Sequence, residues 1–135
     1  RRVASQPAPV RGEAAAVTNP NLLLLVFETV PNAVDDGVSF TKVFVDGQEA
    51  GRTEVGRKSD PRRLMLKLPV GNQPIRLEHW ALPPAGEWKR LDDAIQPRER
   101  FVRIETGVIA ELTLRFAQNE SSNALSVSRE PAPRP

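Results

Sequence analysis

The stretch "KVFVDGQEAGRTEV", residues 42–55, decides the fold class. A short run of β-branched and aromatic residues leads into Asp46-Gly47, and a second glycine, Gly51, follows four residues later. Asp-Gly between two extended runs is a strong hairpin signal, because glycine adopts a positive φ without steric cost. Asp46 and Gly47 are therefore predicted to form a tight turn into a short edge strand. Gly51 is predicted to mark a bulge or a close approach of that strand.

Alternation of apolar and polar residues extends outward from this hairpin. It is clearest in "LMLKLP" (64–69), "PIRLEHWAL" (74–82) and "VIAELTLRF" (108–116). In the second of these, Ile75, Leu77 and His79 share one face of a strand, and Trp80 lies on the opposite face. Turn residues, Gly71 and Gly107 among them, separate the runs. This pattern predicts an all-β domain, an antiparallel two-sheet β-sandwich of about seven strands.

The ends of the chain differ in composition from its middle. Six of the 13 prolines lie near the termini, which predicts an Ala/Pro-rich flexible leader over 1–21 and a flexible Pro-rich tail over 118–135. The β-sandwich domain is then expected over 22–117. Its first strand begins with the continuous apolar run 22–27, which predicts a central strand buried on both faces, or one whose second face meets another chain.

Charge and composition exclude several classes of protein. The chain has a net charge of +2, but residues 22–117 contain 14 basic and 14 acidic side chains. A neutral folded body lacks the basic surface of a nucleic-acid-binding protein. No apolar run is long enough to cross a bilayer, so no membrane insertion by this chain is expected. The leader is typical of a tether that follows a signal or lipid anchor, which favours the cell envelope, periplasm or cell surface; an interdomain linker or a cytoplasmic location stays open.

Three segments in order resemble the PEGA family, small β-sandwich modules of bacterial surface and signalling proteins. They are "VFVDGQEAGRT", "LKLPVGNQPIRLEHW" and "FVRIETGVIAELTLRF", which together span residues 43–116. The family typically shows a strand into Asp-Gly, a Gly-Thr-Pro return, a Pro-x-Gly turn and a final strand of this type. Here Glu54 stands where Pro would follow Thr53, and 81–97 is longer than the family hairpin. The resemblance implies a transthyretin-like or immunoglobulin-like sandwich that acts as a passive module.

The sequence offers few residues for catalysis or metal binding. It has one histidine and no cysteine, which excludes zinc sites built from these ligands and all thiol chemistry. His79 lies mid-strand on an apolar face, so a packed histidine is favoured over a catalytic one. Two acidic pairs, 35–36 and 92–93, lie in predicted loops and supply too few oxygens for calcium. We therefore expect a protein that is not an enzyme and that has no catalytic residues, no metal and no cofactor.

Two sets of residues are candidates for binding. Trp80 and Trp88 flank a predicted hairpin, where indoles serve as a stacking platform for a sugar or as a hot spot for a protein; the alternative is that Trp88 folds back to cover the sandwich. The second set lies in the segment "GRKSDPRR" and would contact an anionic polymer or an acidic partner, unless it only solubilises the loop. This basic set comprises Arg57, Lys58, Arg62 and Arg63.

These observations favour a non-catalytic protein-interaction or structural module of a bacterial cell-envelope or surface assembly. Its partners would be proteins, bound through sheet edges or the tryptophan hairpin. The alternatives are a carbohydrate-binding module that uses Trp80 and Trp88 to bind a polysaccharide, and a decoration subunit of a shell, fibre or phage particle. The compartment, the partner and the oligomeric state are left open by the sequence.

Overall fold

The computed structural model describes residues 17–83, 86–117 and 122–132, with the side chain of Asp35 excepted. Positions 1–16 of the predicted leader and 118–121 and 133–135 of the predicted tail lie outside these described residues. In the described part, the only helical segment is the three-residue 3-10 turn Ala33–Asp35, so no helix there has the length and apolarity needed to cross a membrane.

Ten strands account for the regular structure of the described residues. Their bounds are β1 Leu22–Glu28, β2 Val38–Val45, β3 Gln48–Arg52, β4 Gly56–Arg57, β5 Arg62–Leu66, β6 Gly71–Leu82, β7 Lys89–Arg90, β8 Arg100–Ile104, β9 Val108–Phe116 and β10 Asn123–Pro131.

The strands form two sheets, which confirms the predicted all-β sandwich. Sheet A has four strands in the order β10-β9-β1-β5. Sheet B has six: β3-β2-β6-β7 form a path, β4 also pairs with β2, and β8 also pairs with β6. The strand number exceeds the predicted seven, because β4 and β7 are two-residue pairings and β10 was not anticipated.

One pairing departs from the predicted antiparallel arrangement. β1 lies in the middle of sheet A, antiparallel to β5 but parallel to β9, with Leu24 opposite Leu112. Parallel neighbours require a long crossover connection, and here the whole of sheet B lies between them in the chain. The prediction that the apolar run forms a central strand is confirmed, but its burial on both faces is not: Leu23, Leu25 and Phe27 on the second face are partly exposed.

The core lies between the inner faces of the two sheets. Period-two alternation directs every second residue inward, so that Leu22, Leu24 and Val26 of β1 are fully buried. The other buried members of this core come from both sheets and from the segment after β5: Val43, Leu64, Leu68, Ile75, Leu77, Val102, Ile104, Ala110, Leu112, Leu114 and Phe116.

The β2–β3 hairpin confirms the predictions made from its sequence. Asp46 and Gly47 have φ of 51° and 81°, the left-handed conformation that a two-residue hairpin turn requires. The pairing register shifts between Val43 and Phe44, so β3 is bulged. A Cβ on Gly51 would lie 2.9 Å from Leu66 Cδ2, so Gly51 both follows the bulge and allows a close approach. The turn at Gly107 and the start of β6 at Gly71 also use positive φ.

The C-terminal segment differs from its prediction as a flexible tail. Residues 123–131 form β10, which pairs with β9 over nine consecutive positions. Leu125 and Val127 pack against the core, while Ala124 and Ser126 are exposed. This alternation is present in the sequence, but the prolines around it favoured an irregular structure.

The N-terminal boundary of the domain also differs from its prediction. Asn21, assigned to the leader, is buried and exchanges two hydrogen bonds with the Leu68 backbone.

The packing of β10 predicts different effects for two neighbouring substitutions. Leu125→Ala removes partly buried apolar surface and should lower the free energy of unfolding by about 1–2 kcal/mol. Ser126→Ala, on the exposed face, should change it by less than about 0.5 kcal/mol. Urea unfolding of both variants measures the difference. Equal, negligible effects would show that the segment is not part of the folded domain.

Candidate functional site

A cluster of polar side chains lies between the two sheets at the end where β1 stops. We call it the cross-sheet network, and it comprises Glu28, Ser39, Thr41, Arg62 and His79. Each of the five occupies an inward position of its strand, in phase with core residues such as Val26, Val43 and Leu64. The same alternation that builds the core therefore places these polar groups inside it.

The Glu28 carboxylate is the centre of the network. Its Oε2 atom lies 2.6 Å from an Arg62 guanidinium nitrogen and 3.0 Å from His79 Nε2, and it also accepts a hydrogen bond from the Ser39 hydroxyl. Only 2% of the Glu28 side chain and 5% of the Arg62 side chain is exposed. Glu28 and Arg62 belong to sheet A, whereas Ser39 and His79 belong to sheet B, so one carboxylate oxygen joins the two layers.

His79 is fully buried and has defined partners on both ring nitrogens. Thr41 Oγ1 lies 2.8 Å from Nδ1 and Glu28 lies at Nε2. Burial lowers the pKa of His79 below its ordinary value, and this outweighs the raising effect of Glu28; the charges of Arg62 and Lys58 lower it further. In the neutral ring, Nε2 donates to the carboxylate and Nδ1 accepts from the threonine hydroxyl.

Gln96 fixes the backbone of the strand that holds His79. Its side-chain oxygen accepts from the His79 N–H at 2.9 Å, and its side-chain nitrogen donates to the His79 carbonyl at 3.1 Å. The Phe116 ring lies 4.4 Å from the imidazole and covers it. The ring is thus held in one orientation by both polar and aromatic contacts.

The Thr41–His79–Glu28 chain has the connectivity of a hydroxyl, a base and a carboxylate. Thr41, Ser39 and His79 have no exposed surface. These contacts therefore lie in the interior and join the two sheets. Among the described residues, no three His, Cys or acidic side chains are grouped closely enough to hold a metal ion.

The structure separates the four predicted basic residues. Arg62 begins β5 and points into the interior, where it also donates to the carbonyls of Ser39 and Gly56. The prediction that it belongs to an exposed loop with the other three is wrong, because it lies in phase with the buried Leu64. Arg63 faces outward from sheet A, and Arg57 lies on β4 of sheet B, so no single basic surface unites the set.

Sequence reasoning missed Glu28 and Thr41 as partners of His79, and it missed Ser39 and Arg62 as the other partners of Glu28. The signal that would have found them is position parity: Glu28 continues the inward series of Leu24 and Val26. The sequence does not show how the strands align, and this alignment brings Glu28 next to His79, 51 residues away in the chain.

The two tryptophans lie on the outer face of sheet B and pack against Phe40. The rings of Trp80 and Phe40 are nearly parallel, 16° apart, with centroids separated by 6.2 Å. Trp88 meets Phe40 edge-on at 79° and 5.2 Å, and Phe40 has no exposed surface. Trp88 therefore folds back over the sandwich, and its plane is steeply inclined to that of Trp80. The two indoles do not form one flat platform.

Charged side chains surround this aromatic cluster. Burial alone would raise the pKa of Glu78, but hydrogen bonds from Arg90, Trp80 and Arg76 outweigh it and hold the pKa below its ordinary value. The Trp80 indole N–H donates to Glu78 at 2.9 Å, and the Lys42 ammonium lies 4.7 Å above the Trp80 ring. The polar groups beside the indole are thus already engaged within the protein.

An apolar stripe runs along the outer face of sheet A. We call it the β1 stripe, and it comprises Leu23, Leu25, Phe27 and Met65, all partly exposed. Leu23 pairs directly with Met65, and the Arg115 guanidinium lies 4.5 Å above the Phe27 ring. Sheet B covers the inner face of sheet A, and no element of the described residues covers this outer face.

A cavity of about 830 Å³ opens at the end of the sandwich opposite the cross-sheet network. Its wall is mostly apolar and includes Met65, so the cavity is continuous with the β1 stripe. Lys67 and Glu105 supply the charged part of its rim. The other apolar lining residues are Pro20, Leu68, Pro69, Val70, Val108, Ile109 and Ala132.

No match was found when the chain was compared with protein-family models, with curated proteins and with solved structures. The resemblance to the PEGA family accordingly stays a prediction.

The buried ion pair predicts a large cost for its disruption. Arg62→Met leaves the Glu28 carboxylate buried without its guanidinium partner and should lower the free energy of unfolding by about 3–5 kcal/mol. Arg63→Met, at the adjacent exposed position, is the matched control and should change it by less than about 0.5 kcal/mol. Chemical unfolding at neutral pH measures both. Similar small effects in the two variants would contradict the assignment of Arg62 to the interior.

The lowered pKa of His79 predicts a loss of stability in mild acid. The unfolded chain binds a proton near the ordinary value of 6.5, whereas the folded protein resists protonation. The contribution of His79 to the free energy of unfolding is therefore complete above pH 6.5. It declines as the pH falls below that value, with a slope of at most about 1.4 kcal/mol per pH unit. Unfolding measured between neutral pH and the range where carboxylates titrate gives the slope. This dependence of stability on pH should be weaker in the His79→Gln variant. An unchanged slope in that variant would show that groups other than His79 cause the loss of stability.

Proposed function

We propose that this chain is a non-catalytic interaction module of a bacterial cell-envelope or surface assembly, and that it docks a partner protein on the outer face of sheet A. The support for a passive role is the closure of the cross-sheet network: its hydroxyl and imidazole side chains have no exposed surface, and only 2% of the Glu28 side chain is exposed. The support for an envelope location is the composition of the leader, together with the resemblance to a family of bacterial surface modules.

The observation that carries the proposal is the β1 stripe. β1 is one of the two inner strands of sheet A, and an inner strand of a sandwich commonly has polar residues on its solvent face. Here Leu23, Leu25 and Phe27 occupy that face. A run of apolar residues along the middle of an uncovered sheet is typical of a surface that meets another protein.

The chemistry of the stripe indicates the kind of partner. The cavity continuous with Met65 would receive an apolar side chain of the partner, as an anchor residue enters a pocket at the centre of an interface. Arg63, Glu111 and Arg115 flank the stripe on the same face and provide charges of both signs for a polar rim. We therefore propose a partner protein that presents an apolar anchor surrounded by charged groups.

The alternative of a carbohydrate-binding module receives less support. An indole bordered by arginine and glutamate is suited to a sugar ring, and Trp80 has such neighbours. Its polar neighbours bond one another, however, and Trp88 covers Phe40 instead of extending a planar surface. Quenching of tryptophan fluorescence by soluble polysaccharides would favour this alternative over protein docking.

Site-specific crosslinking tests the docking face. A photoreactive phenylalanine analogue at position 25 should form a discrete adduct with a second protein in the producing cell, and Arg63→Glu in the same chain should weaken it. The control position is Lys89, exposed on β7 of sheet B, which should form none. Adducts from position 89 but not from position 25 would refute docking on sheet A.

A further inference from the structure

β10 is a free edge of sheet A. It pairs with β9 on one side along its full length of nine residues, and no strand of the described residues pairs with its other side. Its nine residues make it the longest edge strand of the two sheets. The other edges are short: β3, β5 and β8 have five residues each, and β7 has two.

The hydrogen-bond pattern shows which backbone groups of β10 face away from β9. Ala117 donates to Ser122 at one end of the pairing, and Ala132 donates to Gly107 at the other. In an antiparallel ladder the bonded positions alternate, so even-numbered residues of β10 bond to β9. The N–H and C=O groups of Asn123, Leu125, Val127 and Arg129 therefore point toward the open edge.

A side-chain contact agrees with this alternation. The Arg100 guanidinium of β8 lies 3.5 Å from the Leu125 carbonyl, one of the outward groups. The distance is long for a hydrogen bond, so an incoming strand would displace it at small cost. The remaining outward groups have the spacing that an added strand requires.

β10 lacks the features that protect edges against pairing. Natural edges are commonly blocked by lysine, proline, bulges or short length. The β9–β10 register is unbroken over nine positions, the strand contains no lysine, and its one proline, Pro131, is at its end. By contrast, β3 is bulged at its pairing with β2 and carries the Arg52–Glu49 ion pair. The outward-facing side chains of β10 near its middle are small: Ala124, Ser126 and Ser128.

We propose that β10 pairs antiparallel with β10 of a second copy of this chain, so that two sheets A join into one sheet of eight strands. The twofold axis would pass through Ser126. Leu125 of each copy would then lie beside Val127 of the other on the core side, which continues the apolar layer. This association uses the strand edge, so it does not depend on docking at the β1 stripe.

The charge distribution along β10 favours a second copy, in antiparallel orientation, as the occupant. The charged residues of β10, Arg129 and Glu130, both lie at its C-terminal end. Antiparallel pairing about the twofold axis places each of them beside the uncharged start of the other strand, Arg129 opposite Asn123 and Glu130 opposite Ser122. A parallel arrangement would set each charge against its own copy, which is unfavourable. Because one strand edge buries little surface, the dimer should be weak, with a micromolar dissociation constant.

Substitution of Val127 tests the pairing. Val127→Pro removes an N–H that points to the open edge and leaves every bond to β9 intact, a placement that edge strands tolerate. Val127→Ala is the matched control for the lost side chain. Sedimentation should show the unchanged chain and Val127→Ala associating from micromolar to submillimolar concentration. In Val127→Pro self-association should weaken at least about tenfold, which corresponds to about 1.4 kcal/mol.

Amide hydrogen exchange in the unchanged chain gives an independent test. As concentration rises, the amides of Leu125, Val127 and Arg129 should gain protection, while those of Ser126 and Ser128 are protected throughout. A chain that stays monomeric, a dimer that persists in Val127→Pro, or a dimer without protection at these amides would overturn the proposal. If Val127→Pro does not fold, Arg129→Pro and Arg129→Ala make the same comparison at an exposed position.

Discussion

The contact of Glu28 with Arg62 and His79 is the constraint on which the sandwich depends at one end. Two sheets packed only through aliphatic side chains can slide or re-register at modest cost, whereas a buried carboxylate must find donors in a fixed geometry. Here the donors come from both sheets and meet at one oxygen atom. If β1 or β6 shifted its register by one residue, the Glu28 or His79 side chain that it holds would turn to the solvent face. The remaining polar side chains of the network would then be buried without partners. The network thus specifies which residues face one another, beyond any net stabilisation it provides.

This constraint also separates the polar groups of the interior from the surfaces that face solvent. The polar groups with the chemistry of a catalytic chain lie inside the fold, at a depth that solvent does not reach. The two sheets present different surfaces to solvent. Sheet B presents aromatic and charged side chains that already contact one another. Sheet A presents the β1 stripe and the edge of β10 that no strand of the described residues covers. The proposals for partner docking and for self-association concern these two surfaces of sheet A, since apolar faces and open strand edges are features that other polypeptides recognise.

Much of the fold was predictable because the period of a strand is fixed. Alternation correctly assigned His79 to the inward face and Trp80 to the outward one, and the Asp46-Gly47 turn followed from backbone sterics. Arg62 was assigned wrongly because it was grouped with neighbouring charges instead of with Leu64, two residues later in the same phase. β10 was missed because prolines outweighed a short alternation around Leu125 and Val127. The parallel β1–β9 pairing and the meeting of Glu28 with His79 depend on long-range register, which local pattern does not specify.

Nitrogen NMR of the imidazole is the most direct test of the cross-sheet network, since the chain has a single histidine. A ring buried between Thr41 and Glu28 should show the nitrogen chemical shifts of one neutral tautomer, protonated at Nε2. These shifts should stay the same when the pH of the sample is lowered past the ordinary histidine pKa of 6.5. Averaged tautomer shifts, or a titration midpoint at or above that value, would contradict a closed network and reopen His79 as a group that meets solvent.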